Sequence, residues 1–327
     1  MEEKAVSLSS IAEFHKISPH EFERQYKDHL SDFHTWNQKP HADKWLVFPK
    51  NIGTHLSLDE TSISNGELYT ILTNKAAKGG KGALVAMVEG TKADDISIVF
   101  NKIPLSRRLE VQEVTLDFSS SMKKSVRTAF PNARITTDRF HVQQLLSEAL
   151  QEIRVSLRWK AIQEENEGVK QAKLQGERYI PQVYANRDTK KQLLARSRYL
   201  LFKPSSKWTH RQQERAVVLF ELFPELGHAF NLTMNFRSIY ETSTTREQAQ
   251  HRFTDWFQKI EREHLDSFTT TAHYLHDHLD TILNYFPDRS TNASAESFNA
   301  KLKGFRALVR GVRDTKFFLY RVAMIYG

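Results

Sequence analysis

Along the chain, the spacing of apolar positions changes from a period of two to a helical period part-way through. Between residues 54 and 137 short β-rich runs dominate: THLSLD ending on Asp59, residues 67–73, residues 83–89, residues 111–116 and residues 133–137. The first three are joined by short turns, one at Ser64-Asn65-Gly66 and one through the glycine-rich segment NKAAKGGKGA, and they read as an antiparallel meander. Residues 91–100 read as a helix leading to VQEVTLDFSSSMKKSVRTAFPNARITTDRFHV, residues 111–142. Within it Met122, Val126, Ala129 and Phe130 recur at helical spacing between two β-runs, and Pro131-Asn132 breaks the helix. That is a β-α-β unit, whose strands lie parallel in one sheet, and each strand ends on an acid, Asp117 and Asp138. Ligands on such sheets gather beyond the carboxyl ends of the strands, where these acids stand.

Beyond residue 142 the helical period takes over. Val142, Leu146, Ala149, Leu150, Ile153 and Leu157 form one stripe, and further helices are expected over residues 190–202, 209–223, 224–240, 246–262 and 267–285. Near the C-terminus Ala295, Phe298, Leu302, Phe305 and Val309 step by three and four, an apolar stripe that needs a core. One residue further round, Glu296, Asn299, Lys303, Arg306 and Arg310 form a parallel stripe. An acid and an amide followed by three cations suit a metal site meeting a phosphate backbone, but periodicity alone favours an ordinary amphipathic helix with an exposed basic face. Residues 1–50 mix polar helical sequence with an aromatic stretch containing Trp36 and Trp45, and read as an appendage.

Composition narrows the chemistry. The chain has 327 residues and a net charge of +8, which suits a polyanionic partner, either a nucleic acid or an anionic surface. It has no cysteine, which excludes disulfides, thiolate zinc sites and cysteine nucleophiles. No apolar run approaches a membrane span, and the N-terminus lacks the basic-then-apolar pattern of a signal peptide, so a soluble cytoplasmic protein without membrane contact is expected. Lys75, Lys78 and Lys81 in the glycine-rich segment resemble part of a phosphate cradle, but the segment matches no Walker pattern and opens no helix; a solvated hairpin tip is the expectation.

Three acids remain: Asp59 and Asp117 at strand ends, and Glu296 on a helix. Phosphodiester cleavage or transfer needs charge stabilisation on the phosphate and an activated oxygen nucleophile. Two divalent ions roughly 3.5–4 Å apart supply both, and Mg²⁺ takes hard carboxylate ligands.

The order of elements together with Asp59, Asp117 and Glu296 resembles the RNase H-like core of DDE-type transposases. Two stretches look like the ISL-type branch of bacterial insertion-sequence transposases: DFSSSMKKSVRTAFPNARITTDRFHV, and N-x-x-x-E-x-x-N-x-K-x-K-x-x-R, which stands here as Asn292, Glu296, Asn299, Lys301, Lys303 and Arg306. RYLLFKPSSKWTHRQQ at residues 198–213 and FPELGHAFNLTMNFR at residues 223–237 are similar to that branch's helical insertion.

The resemblance implies an α/β fold: an RNase H-like mixed-sheet core with a large all-helical insertion before the last catalytic helix. Its segments would be an N-terminal appendage over 1–50, the first part of the core over 51–142, the insertion over 143–289 and the helix completing the core over 290–327. It implies a transposase that cuts DNA at insertion-sequence ends and transfers the strands to target DNA, using Mg²⁺ or Mn²⁺ as two ions held by the catalytic acids Asp59, Asp117 and Glu296. Asp138, His141 and Asn299 would support the site, Asp138 and His141 as members of the D-R-F-H signature; Arg139, Lys303, Arg306 and Arg310 would contact DNA. A homodimer is expected in the active complex. The chain departs from the family in lacking zinc-binding and helix-turn-helix sequence ahead of the core, so end recognition is expected from a separately encoded protein, from the helical insertion, or from both. A metal-dependent nuclease without strand transfer and an inactive DNA-binding derivative are the alternatives.

Overall fold

In a computed structural model, which describes residues 4–64, 66–263, 266–309 and 314–327, the β-rich runs become β1 (Trp45–Val47), β2 (His55–Ser64), β3 (Glu67–Asn74), β4 (Leu84–Glu89), β5 (Glu113–Leu116) and β6 (Arg134–Thr137). They make one sheet in the order β1-β4-β3-β2-β5-β6. The meander β2-β3-β4 is antiparallel, and β5 and β6 extend it in parallel beside β2. All four residues of β5 are buried, as a parallel strand covered on both faces requires. This is the mixed α/β, RNase H-like arrangement expected from the sequence. The expected turn residue Asn65 and the cation Arg310 lie outside the described residues.

The chain opens with α1 (Leu8–Phe14) and α2 (Pro19–Gln25), then passes through α3 (Ala93–Phe100), α4 (Leu105–Leu109) and α5 (Ser120–Ala129) between the strands. A long helical stretch follows: α6 (Arg139–Leu174), α7 (Lys190–Arg196), α8 (Arg198–Leu201), α9 (His210–Leu222), α10 (Pro224–Thr242), α11 (Arg246–Glu263), α12 (Asp266–Asp277), α13 (Leu279–Leu283) and α14 (Tyr285–Asp288). The chain ends in α15 (Ala293–Leu308) and α16 (Thr315–Tyr326). It divides into two compact units, Met1–Asp138 with Arg289–Gly327, and Arg139–Asp288. Among the described residues no helix is long and apolar enough to cross a membrane.

In the first unit the sheet carries a core on each face. Leu56, Leu58, Val114 and Leu116 pack with Ile96, Val99 and Phe100 of α3 and with Met122 and Val126 of α5. On the other face Phe298, Leu302 and Phe305 of α15 and Phe318, Leu319 and Val322 of α16 cover Tyr69, Ile71, Leu84 and Met87. Each fully buried Phe or Leu there contributes about 1.5–3 kcal/mol, so the C-terminal stripe is what closes this layer. Residues 1–50, read from the sequence as an appendage, belong to this unit: β1 pairs antiparallel with β4, and Leu8, Tyr26 and Phe33 pack with Phe317 and Tyr320.

In the second unit, α7 and α9 each start on a reciprocal capping box, Thr189 with Gln192 and Thr209 with Gln212. Helix α6 runs well past the apolar stripe that ends at Leu157, and its polar second half is tied down by Lys190–Glu164 and Lys191–Glu165 pairs, both at 2.6 Å. The single helix expected over 267–285 is instead three short ones, with His278 N bonding to Leu275 O, a tighter turn than an α-helix makes.

Glu113 sits inside β5 with its side chain almost wholly buried, between Lys75 at 2.9 Å and Arg134 at 3.1 Å. Burial alone would raise its carboxyl; the charge of Lys75, with hydrogen bonds from Ser290, Lys75 and Arg134, outweighs that and holds it down to about 2. Since the unfolded carboxyl titrates near 4.5, the pairing stabilises the fold fully above that pH and is lost as pH falls through about 2. Glu113→Gln is expected to cost about 3 kcal/mol at neutral pH, with the difference from the parent vanishing towards pH 2; urea unfolding across pH measures it.

Candidate active site

Asp117 directly follows β5, but Asp59, expected from the sequence at a strand end, stands inside β2, which runs on to Ser64 with Asp59 opposite Ile71 of β3. The two acids are brought together by register. Strands β2 and β5 run parallel with Ser57 opposite Thr115, so one further pleat sets Asp59 beside Asp117. Asp117 accepts from Ser119 N at 2.7 Å, which turns the chain into α5. Asp59 accepts from Glu60 N at 2.9 Å and, through Oδ2, from Asn299 Nδ2 at 2.7 Å. Glu60 joins them electrostatically: its carboxyl is raised by partial burial, then by the charges of Asp117 and Asp59. A half-buried concentration of carboxylates is what a cation relieves.

Helix α15 is placed on this face by a line of polar contacts at its N-terminus. Ser290 hydrogen-bonds Glu113, Asn292 N donates to Asp138 Oδ1 at 3.0 Å, Asn292 Nδ2 donates to Leu58 O at 3.3 Å, and Ser294 Oγ lies 3.2 Å from Ser57 Oγ. Asp138, the acid of the D-R-F-H signature, is buried and works as an anchor for the start of α15. Glu296 lies one turn before Asn299 and is exposed, while Asn299 holds the inward position beside Asp59. Among the described residues no group of three or more His, Cys, Asp and Glu side chains is placed to hold a metal ion. The structure therefore brings Asp59 and Asp117 together and carries Glu296 on a helix bonded to Asp59, without assembling all three.

The donors present fit a hard divalent cation. They are oxygens only, from the Asp59 and Asp117 carboxylates, and Asn299 Oδ1 is buried with no hydrogen-bond partner among the described residues while the same amide bonds Asp59.

The other expected residues divide by unit. His141 and Arg139 lie in the first turn of α6, in the helical unit. There the Arg139 guanidinium packs over the Tyr240 ring at 5.2 Å, with Tyr285 Oη at 3.5 Å and Glu241 at 3.7 Å. On α15 Lys303 is exposed, and Arg306, half-buried, lies over the Phe318 ring at 5.1 Å.

The glycine-rich segment is not a solvated hairpin tip. Lys75 points inward to Glu113 and to Thr115 Oγ1 at 2.5 Å, Lys81 donates to Met324 O at 2.6 Å, and Lys301 of α15 donates to Gly79 O at 2.9 Å. Gly79 is left-handed at φ +69, and a Cβ there would meet Lys301 Nζ at 3.2 Å, so the glycine permits both the turn and the approach of the helix. Sequence reading passed over Glu113, Glu60 and Lys123. The signal for Glu113 was an acid inside a β-run, and for Glu60 an acid directly after Asp59. Lys123, one turn into α5, is half-buried and held down to about 8 by burial and by Arg127, with Asp117 acting the other way.

Residues 56–322, from β2 into α16, match the model of the ISL3-type DDE family, whose description is transposase. No curated protein matches the chain.

Asp138→Ala removes the acceptor at the start of α15 and is expected to lower stability by about 1–3 kcal/mol, with faster hydrogen exchange of the Asn292 amide; Asp138→Asn, which keeps an acceptor oxygen, should lose less of both.

Proposed function

From the premise that the chain belongs to the ISL3-type DDE transposase family, we propose that it cuts DNA at the ends of an insertion sequence and joins the freed strands to target DNA, with Asp59, Asp117 and Glu296 as its catalytic acids. The observation that carries this reading is the convergence at one place of Asp59, Asp117 and the helix bearing Glu296, through the Asp59–Asn299 hydrogen bond. Asp59 and Asp117 would hold Mg²⁺ or Mn²⁺, and Glu296 would complete the ligand set from α15. When bound, two such ions neutralise charge on the phosphodiester and lower the pKa of water. Asn299 fixes the orientation of the Asp59 carboxylate, and outer hydrogen bonds of this kind are worth about 10–100-fold in metal affinity or activity. Asp138 and Ser57 act one step further out, by setting where α15 begins. His141 belongs to the same reading as a supporting residue of the signature.

Lys303 and Arg306 continue the helix row away from Glu296, and Arg310 extends it in sequence; this row would meet the DNA backbone. Two ends handled in one reaction require two copies, so a homodimer is part of the proposal, as is a separately encoded protein for end recognition. One observation favours a second reading, a DNA-binding derivative that no longer cuts: Glu296 is exposed and, among the described residues, outside any metal-ligating group.

Labelled element ends incubated with Mg²⁺ or Mn²⁺ and a target plasmid separate these readings. Joined products are expected; cleavage alone would leave a nuclease, and intact DNA a binding protein. Asp59→Asn, Asp117→Asn and Glu296→Gln should each lower cleavage by about 100-fold or more, with DNA affinity and unfolding midpoint kept; full activity in any one removes that residue from the site.

Lys303→Ala with Arg306→Ala should leave cleavage at saturating DNA in place but make the dependence of log affinity on log salt shallower by about 2. An unchanged slope returns the row to an ordinary solvated face.

A further inference from the structure

The helical unit holds a second concentration of positive charge. Residues 189–213 contain seven Lys and Arg side chains and no Asp or Glu. The first three are neutralised by acids elsewhere in the unit: Lys190 by Glu164, Lys191 by Glu165 and Arg196 by Asp188. Arg198 is different. It is exposed, its guanidinium lies 5.7 Å from the exposed Tyr199 ring, and it has no carboxylate partner among the described residues.

Beneath it lies Arg154 of α6, only 7% exposed. A buried guanidinium ordinarily faces a carboxylate. Arg154 instead donates to Leu194 O at 2.9 Å and to Gln151 Oε1 at 2.6 Å, both neutral. Leu194 stands one turn before Arg198, and Arg158 stands one turn after Arg154 on α6, exposed and also without a carboxylate partner among the described residues. Three guanidiniums thus share one corner of α6, α7 and α8. Their mutual repulsion is felt at Arg154, which is lowered by burial and then by the charges of Arg158 and Arg198.

We propose that the corner formed by Arg154, Arg158 and Arg198 is a binding surface for the phosphate backbone of duplex DNA, separate from the carboxylate site. Arg154 holds the corner rigid from below, through its bond to α7, and Arg158 and Arg198 present their guanidiniums to phosphate oxygens, which guanidinium forks match in pairs. The proposal rests on the reading of the chain as a DNA-acting transposase.

The test uses the full chain with Arg158→Gln and Arg198→Gln together; both positions are exposed, and an unchanged melting curve confirms that the fold is kept. Affinity for duplex DNA is measured across salt concentrations for the parent, this variant and Asp117→Asn. The expected result is a log–log slope shallower by about 2 in the double variant, since each phosphate left without its cation removes about 0.9, and a parent-like slope in Asp117→Asn. Cleavage at saturating DNA should be unchanged by the double variant. A parent-like slope in the double variant overturns the proposal and leaves the transposase reading standing. A parent chain that binds no duplex DNA at low salt overturns both. A loss confined to vesicles of anionic lipid, with DNA binding unchanged, assigns the corner to a membrane surface and also overturns the proposal.

Discussion

After the helical unit the chain returns to the sheet through residues 289–294, and that return is fixed by buried hydrogen bonds before it is fixed by apolar contact. Asp138 accepts the Asn292 amide, Asn292 reaches Leu58 O, Ser294 meets Ser57, and one turn later Asn299 donates to Asp59. An apolar stripe tolerates small slides and rotations, because burial has no direction. Hydrogen bonds to particular atoms of β2 and to the acid that ends β6 do not. The register of α15 over the strands, and with it the place of Glu296, is set by these few polar atoms, while Phe298, Leu302 and Phe305 supply most of the energy that keeps the helix down.

Much of this was legible in the sequence because local rules and the tertiary fold agree. The β-α-β unit around Asp117 was announced by two periods and a Pro-Asn break, and β5 and β6 pair in parallel as that pattern requires. The amphipathic stripe of α15 was equally plain. What one-dimensional spacing could not carry was which neighbour of a stripe turns inward. Glu296 and Asn299 occupy one helical row, yet it is Asn299 that reaches Asp59. Likewise the basic look of the glycine-rich segment hid an ion pair between Lys75 and Glu113, residues 38 apart in sequence. Pairing across such a separation is decided by sheet topology, so the segment read as solvent-facing.

Net charge is subject to the same restriction. A formal charge of +8 suggests a polyanionic partner, but many of the cations are engaged within the protein. Lys81 and Lys301 bond backbone carbonyls, and Arg321, buried between the Tyr26 and Phe305 rings, donates to Val6 O. Arg139 is enclosed by Tyr240 and Glu241. Among the cations left facing solvent without an acid partner among the described residues are Lys303, Arg158 and Arg198.

The first unit is discontinuous in sequence: its sheet is laid down by residue 138, but the helices that cover one face come from Arg289–Gly327. On a translating ribosome Tyr69, Ile71, Leu84 and Met87 must therefore wait uncovered while the entire helical unit is made, since the Phe298 and Leu302 that shield them emerge only afterwards. Exposed β-surface held open for that long invites association between nascent chains. Closure of that face falls to the last segment of the unit to be made.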